Sequence, residues 1–455
     1  MEFTTEIKMH NDTQFGIFRI EVEKTEITET DQEINLLLDK SGSMDDLCSD
    51  GSSKMHQIKH VTNNILRFIA KNCVKGNVTV SVKAFNTEVE TIIEKTVVTE
   101  DLLDVLIQKV GKIYPNEGTD IENALKSMKE IGTNRHNIFM SDGDANEGET
   151  CPAVLAESVN PNALNTFVGF GLEHNPKIFM ALSNTKNSAY YFVDKVEKSG
   201  NAYGEILHGI LYNCLSEVRI QIVGGTIYNW KTNEWTTEIF VGNMSGEMKK
   251  TFHIMSETRD QIQIMVTGLT KGLTPFETKH LFQGDTEDLQ KMIYRQRTQE
   301  ILFKANRAAK EFKVELKAFM YELKEYMKTN ELENDTLLKN LCDDIAVVYR
   351  TIGTKYGQMY SASRQTSQGN ERLHNVCDTP QRRKIRPWFD DEDEEEEEVD
   401  VIMDTHIIAD GLEDTPYYSG KVAGLMRTVT DEDCSLTVDC SLTVDCSLTV
   451  DCREE

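Results

Sequence analysis

Between Ile34 and about Leu215, short apolar runs alternate with stretches of helical periodicity: INLLLD, HQIKHVTNNILRFIAKN, VTVSVKAFN, DLLDVLIQKV, TDIENALKSMKEI, NIFMSD, LNTFVGFG and AYYFVDKV. Strands separated by amphipathic helices build a mostly parallel sheet with helices on both faces. The runs INLLL and IFM are apolar without alternation, as central strands covered on both sides must be. In such a sheet, ligands sit at the carboxyl ends of the strands, so the loops after INLLL and IFM and the loop before TDIENAL become the places to look.

The flanking segments have another texture. FGIFRIEVEKTEI alternates apolar and polar residues, as do EVRIQIVGG, TIYNWKTNEWTTEIFVG, KKTFHIMSE and QIQIMVTG after Ser216. Neither set closes a sheet alone, so residues 1–30 and 216–283 are expected to form one small β unit, with an α/β domain over 31–215 inserted between them. Residues 285–362 carry apolar positions three or four apart, among them Leu289, Ile293, Ile301, Leu316 and Leu323, and predict a helical region with one buried stripe per helix.

Residues 363–455 read as a disordered tail. Asp390 to Glu398 is an unbroken acidic run that repels itself, and the preceding RRKIR reads as a solvated linker paired with those acids or, alternatively, as a nuclear localisation patch. The end repeats the unit SLTVDC, which as a strand has one apolar and one polar face; either it pairs with another edge or it is an expanded low-complexity tail.

Composition narrows the function. The formal net charge of -27 argues against a polyanionic partner, so no nucleic acid is expected. The start, MEFTTEIKMHNDTQ, shows no secretion signal, and no run of ~18 apolar residues predicts a membrane span. The 10 cysteines form no C-x-x-C pair, which suits reduced thiols in the cytoplasm, or in the nucleus.

The chemistry concentrates in Asp39-Lys40-Ser41-Gly42-Ser43. A carboxylate ends the strand, and two hydroxyls follow on alternate positions of a turn that Gly42 eases. Thr119, where a helix begins, and Asp142, which ends IFMSD, belong to the same edge of the expected sheet. Five hard oxygen donors from three segments suit Mg²⁺ or Mn²⁺.

These residues resemble the metal-ion-dependent adhesion site of von Willebrand factor type A domains. Asp39, Ser41 and Ser43 match its D-x-S-x-S motif, Thr119 its isolated threonine and Asp142 its distal aspartate, while GTDIENAL and the strand-ending SDG add to the match. FVGFGLEHNPKIFM is similar to a segment of intracellular relatives, some of which have flanking β segments and a following helical region. The resemblance implies a Rossmann-like domain whose serines and threonine hold the cation directly or through water, with the aspartates often acting through water. It implies coordination as the mechanism: a protein partner supplies a Glu or Asp that completes the metal shell.

This chain departs from the pattern in two ways. Many relatives have two glycines before the threonine, where Glu117 and Gly118 stand here, and Asp45, Asp46, Asp120 and Asp144 add acids near the expected mouth. Each like charge at ~7 Å opposes an acidic guest by about 1 kcal/mol at an effective dielectric of ~40, and Lys40, if turned to the mouth, offsets part of this.

An enzyme is not expected. The serines lack the G-x-S-x-G frame, His56 and His60 lack the intervening glutamate of H-E-x-x-H, and no phosphate loop is present. Two alternatives to a metal-dependent interaction module stay open: an adaptor or regulator in ubiquitin-ligase-type assemblies without its own RING, and a domain whose ion is only structural.

Overall fold

The computed structural model describes residues 3–371, apart from residues 12, 28–30, 48–50, 74–76, 130–134, 144, 172–173, 194–195, 259–260, 309 and 355. The acidic run, the RRKIR cluster and the SLTVDC repeats lie outside the described residues.

The chain opens with a hairpin, β1 (Phe3–His10) and β2 (Phe15–Val22), and then enters the α/β domain. There β3 (Gln32–Asp39), α1 (Lys54–Asn72), β4 (Val78–Phe85), β5 (Val89–Val97), α2 (Glu100–Gly111), α3 (Ile121–Lys126), β6 (Arg135–Ser141), α4 (Pro152–Glu157), β7 (Leu164–Phe170), α5 (Pro176–Ser183), β8 (Ser188–Val193) and α6 (Val196–Leu211) follow one another. The sheet order is β5-β4-β3-β6-β7-β8, parallel except for the β4–β5 hairpin.

Ile34, Leu36 and Leu38 of β3 face α1, α2 and α6, while Leu37, Phe139 of β6 and Phe167 of β7 face α3, α4 and α5. Two covered faces explain why these strands carry apolar residues at consecutive positions. The connection from β3 runs to β4 on one side, and β6 lies on the other, so the sheet reverses its winding between β3 and β6. A crevice opens there at the carboxyl ends of the strands.

A polar ladder sets the register of this sheet. Ser81 Oγ donates to Asn35 Oδ1 at 2.5 Å, Asn35 Nδ2 to Asn137 Oδ1 at 3.0 Å, and Asn137 Nδ2 to Asn165 Oδ1 at 3.0 Å. Asn165 then donates to the Asn160 carbonyl at 2.8 Å. These residues are paired across β4, β3, β6 and β7, so a slip of one residue would bury each amide without its partner.

After α6 the chain returns to strands: β9 (Asn213–Val223), β10 (Thr226–Asn229), β11 (Glu234–Thr236), β12 (Glu238–Ser245), β13 (Lys249–Met255), β14 (Gln263–Thr270), β15 (Pro275–Leu281) and β16 (Thr286–Glu287). The initial hairpin joins them in a sheet ordered β11-β10-β13-β2-β1-β16, and the remainder form a second sheet, β12-β9-β14-β15. Phe18 and Ile20 of β2 pack with Ile220 of β9 and Ile264 of β14 in one apolar core. The chain is therefore an α/β domain inserted in a small β unit, followed by helices. The strand β9 begins at Asn213, ahead of the boundary at 216, and β16 carries the β unit past 285.

Helices α7 (Gln290–Ala305), α8 (Lys313–Thr329) and α9 (Thr336–Thr351) form a bundle around Leu302, Leu316 and Ile345. A fourth helix, α10 (Gly357–Gly369), corrects the boundary drawn at 363. Its SRQTS run has no apolar periodicity, yet Ser363 through Ser367 are buried. Polar partners make this tolerable: Arg364 donates to Asp344 Oδ1 at 3.0 Å, Gln368 to Asp344 Oδ2 at 2.6 Å and Gln365 to the Trp230 carbonyl at 2.9 Å. Met359, Tyr360 and Ala362 meanwhile pack on the Phe139 face of the α/β sheet. At Gly369 a Cβ would lie 2.1 Å from the Trp230 ring, so a side chain there is excluded.

Asn137→Ala strands the amides of Asn35 and Asn165, and should lower unfolding stability by about 2–4 kcal/mol in a denaturant titration. His136, 2.7 Å from Gln32 Oε1, is held by burial down to about 4, so the folded protein resists a proton that the unfolded chain accepts. Its contribution is complete above the ordinary pKa of 6.5 and is lost as pH falls toward 4; in His136→Gln, the stability lost between pH 7 and pH 5 should shrink by about 2 kcal/mol.

Candidate functional site

The segment after β3 turns because each backbone group finds a partner there. The Lys40 N–H donates to the Phe85 carbonyl at 2.7 Å, and the Asn116 N–H to the Lys40 carbonyl at 2.8 Å. Gly42 N–H donates to the Glu117 carbonyl at 3.0 Å, and residues Gly42–Asp45 then coil into a single 3₁₀ turn. The loop after β3 is thus laid against the loop that carries Thr119. That second loop is held to a third: Thr119 N–H donates to Asn146 Oδ1 at 2.7 Å, and Asn146 N–H returns to the Thr119 carbonyl at 3.1 Å.

Together these three loops bring the five expected oxygen donors to one place. Asp39 Oδ1 accepts the Ser41 N–H at 2.7 Å. Ser41 Oγ and Ser43 Oγ are 3.2 Å apart, and Ser43 Oγ donates to Asp142 Oδ1 at 2.9 Å. An atom placed where a Cβ of residue 143 would stand lies 3.6 Å from Thr119 Oγ1 and 3.8 Å from Asp39 Oδ2, so these two face the same small space. Asp39, Ser41, Thr119 and Asp142 are buried, whereas Gly42 and Ser43 are exposed. The cage is closed on the protein side and opens at Ser43.

Its electrostatics favour a cation. Burial, and then the charge of Asp142, push the Asp39 carboxyl up to about 6, against hydrogen bonds from Ser141 and Ser41 that favour its ionised form. A divalent ion would remove that conflict, and a set of hydroxyls with two carboxylates is the donor chemistry of Mg²⁺ or Mn²⁺. The residues fit the group. Among the described residues no cluster of three or more His, Cys, Asp or Glu could hold a metal, so a cation here would rely on the hydroxyls as well as the two carboxylates.

Several residues around the cage fall elsewhere than the sequence suggests. Lys40 is turned away from the mouth, its Nζ 2.9 Å from Glu90 Oε2. Asp120 accepts the Asn123 N–H at 2.9 Å as the cap of α3 and is occupied there. Asp144 lies outside the described residues. Glu117 adopts φ 65°, a conformation that costs a non-glycine residue about 1 kcal/mol. Its carboxylate compensates by accepting from Asn86 Nδ2 at 3.0 Å and Thr87 Oγ1 at 2.7 Å.

Two functional residues escaped the sequence reading. Ser141 Oγ donates to Asp39 Oδ2 at 2.5 Å and its oxygen accepts the Gly143 N–H at 3.1 Å; the signal was the S of SDG, one residue before the aspartate. The other is Lys54, the first residue of α1, whose ammonium is hydrogen-bonded to Asp142 Oδ2 and lies 3.5 Å from Asp46 Oδ2. A basic residue at a helix N-terminus, opposed by the helix dipole, was its signal in the sequence. Removing the donor to Asp39 in Ser141→Ala should weaken Mn²⁺ binding about tenfold by calorimetry while leaving the circular dichroism spectrum unchanged.

Comparisons with known proteins agree with this architecture. Residues 34–144 match the family model of the von Willebrand factor type A domain. The solved structure of a von Willebrand factor type A protein from Catenulispora acidiphila is 14% identical, with a TM-score of 0.50, and covers 75% of this chain and 89% of its own. That coverage exceeds what the α/β domain alone supplies, so the shared fold extends into the β unit and helices. The ArnB paralog VWA2 from Sulfolobus acidocaldarius is 11% identical, with a TM-score of 0.48, over 81% of this chain and 99% of its own. No curated protein matches the sequence.

Proposed function

Because the chain carries a von Willebrand factor type A domain, we propose that it is a metal-dependent protein-interaction module whose partner presents a Glu or Asp to the cage at Asp39, Ser41, Ser43, Thr119 and Asp142. The observation that supports this most is the convergence of five oxygen donors from three loops, four of them buried and the fifth, Ser43, exposed. Mg²⁺ or Mn²⁺ bound there supplies an electrophilic position for a carboxylate.

The chain's own residues do the rest. Ser141 and the Ser41 N–H orient the Asp39 carboxylate, and the Asn146 side chain and N–H, bonded to the Thr119 backbone, fix the far wall. The net charge of -27 disfavours nucleic acid, and among the described residues no helix is long and apolar enough to cross a membrane. Among the described residues Cys73, Cys151, Cys214 and Cys342 are unbridged.

Asp39→Ala should abolish Mn²⁺ binding, measured by calorimetry, and with it capture of partners in Mg²⁺, while the circular dichroism spectrum stays that of the wild type. Capture that is equal in Mg²⁺ and in excess EDTA would sink the adhesive mechanism. A melting temperature that rises with Mg²⁺ in a protein that captures nothing would leave a structural ion.

A further inference from the structure

Lys54 sits in a place where a lysine is hard to keep. Its side chain is 8% exposed and it starts α1, where the helix dipole opposes a positive charge. The long stem passes the end of β7, where a Cβ on Gly171 would stand 3.5 Å from Lys54 Cε, and the charge reaches far enough to disfavour protonation of the buried His174 ring. Burial works to lower the ammonium's pKa, yet the charges and hydrogen bonds of Asp142 and Asp46 outweigh it and hold it above the ordinary value.

Asp142 is the stronger partner because it is itself buried, 1% exposed, whereas Asp46 is exposed. Both Asp142 oxygens are therefore engaged, Oδ1 by the Ser43 hydroxyl and Oδ2 by the Lys54 ammonium. The cage holds two carboxylates and one ammonium, an excess of a single negative charge instead of two.

We propose that Lys54 is a tethered counter-ion that competes with the divalent cation for Asp142 and so sets how weakly the cage loads. The inference rests on the metal-binding reading of the same site, and adds to it a residue that sets affinity. It also bears on the partner: a loaded cage that keeps its lysine carries one positive charge in excess, which offsets the repulsion of Asp45 and Asp46 toward an acidic guest. A divalent ion in a cage without the lysine would only reach neutrality.

The test is Mn²⁺ binding to the full chain, measured by electron paramagnetic resonance and calorimetry, for wild type, Lys54→Met, Lys54→Arg and Asp39→Ala. Removing the charge in Lys54→Met should tighten Mn²⁺ by about 10- to 100-fold, the range that a unit charge one carboxylate away from a divalent ion gives at an effective dielectric between ~40 and ~80. Lys54→Arg, which keeps the charge, should stay within about threefold of wild type. In the absence of metal, Lys54→Met should melt lower than wild type, because Asp142 is left buried without its partner, and should recover more than wild type on adding Mn²⁺. Should Lys54→Met fail to fold without metal, Lys54→Gln, which retains a donor to Asp142, carries the same expectation.

Equal or weaker Mn²⁺ binding by Lys54→Met and Lys54→Gln, with binding still lost in Asp39→Ala, would overturn the role of Lys54 and leave the metal site standing. If none of the four proteins binds Mn²⁺, the metal-binding reading itself fails, and the role of Lys54 with it.

Discussion

Two carboxylates, Asp39 and Asp142, end neighbouring parallel strands in a place that water does not reach. Charge in such a setting must be matched locally, since burial raises the free energy of each ionised group and each group raises that of the other. The surrounding loops answer that constraint. Ser141, Ser41 and Ser43 turn hydroxyl and amide groups toward the acids, Lys54 brings an ammonium, and the loop carrying Thr119 is pinned to its neighbours by backbone bonds. The cage is first of all a solution to charge burial, and a divalent cation would complete the balance.

The remainder of the molecule holds those loops still. The asparagine ladder fixes the register of β3, β6 and β7, and with it the relative height at which Asp39 and Asp142 leave the sheet. On the face that carries Leu37 and Phe139, α10 adds a cover brought from the far end of the described chain. The same helix reaches the β unit through Gln365 and the Trp230 carbonyl, while Glu371 accepts the Thr251 N–H at 2.9 Å. Three regions distinct in sequence are thereby joined by buried polar contacts and not by apolar packing alone.

Legibility in the sequence follows physical locality. Covered central strands show as unbroken apolar runs, and helices as periodic stripes, so the α/β domain and the strand ends that carry Asp39 and Asp142 could be read directly. The polar helix α10 could not, because residues such as Arg364 and Gln365 look solvated until Asp344 and Trp230 are known to face them. Lys40 misled for the opposite reason: it neighbours the cage in sequence, but its strand-end geometry sends it to Glu90. Lys54, 15 residues after Asp39, is the lysine that arrives.

What the sequence alone determined is the chemistry and its carrier: hard oxygens placed at the ends of apolar strands, in a domain whose alternation of strands and helices admits few topologies. What only the tertiary structure decided is which charges meet. Ion pairs and buried polar networks depend on distances of a few ångströms between residues far apart in the chain, and no local pattern encodes them. The cage's negative charge was legible from Asp39 and Asp142; that a buried lysine already neutralises half of it was settled by where α1 begins in space.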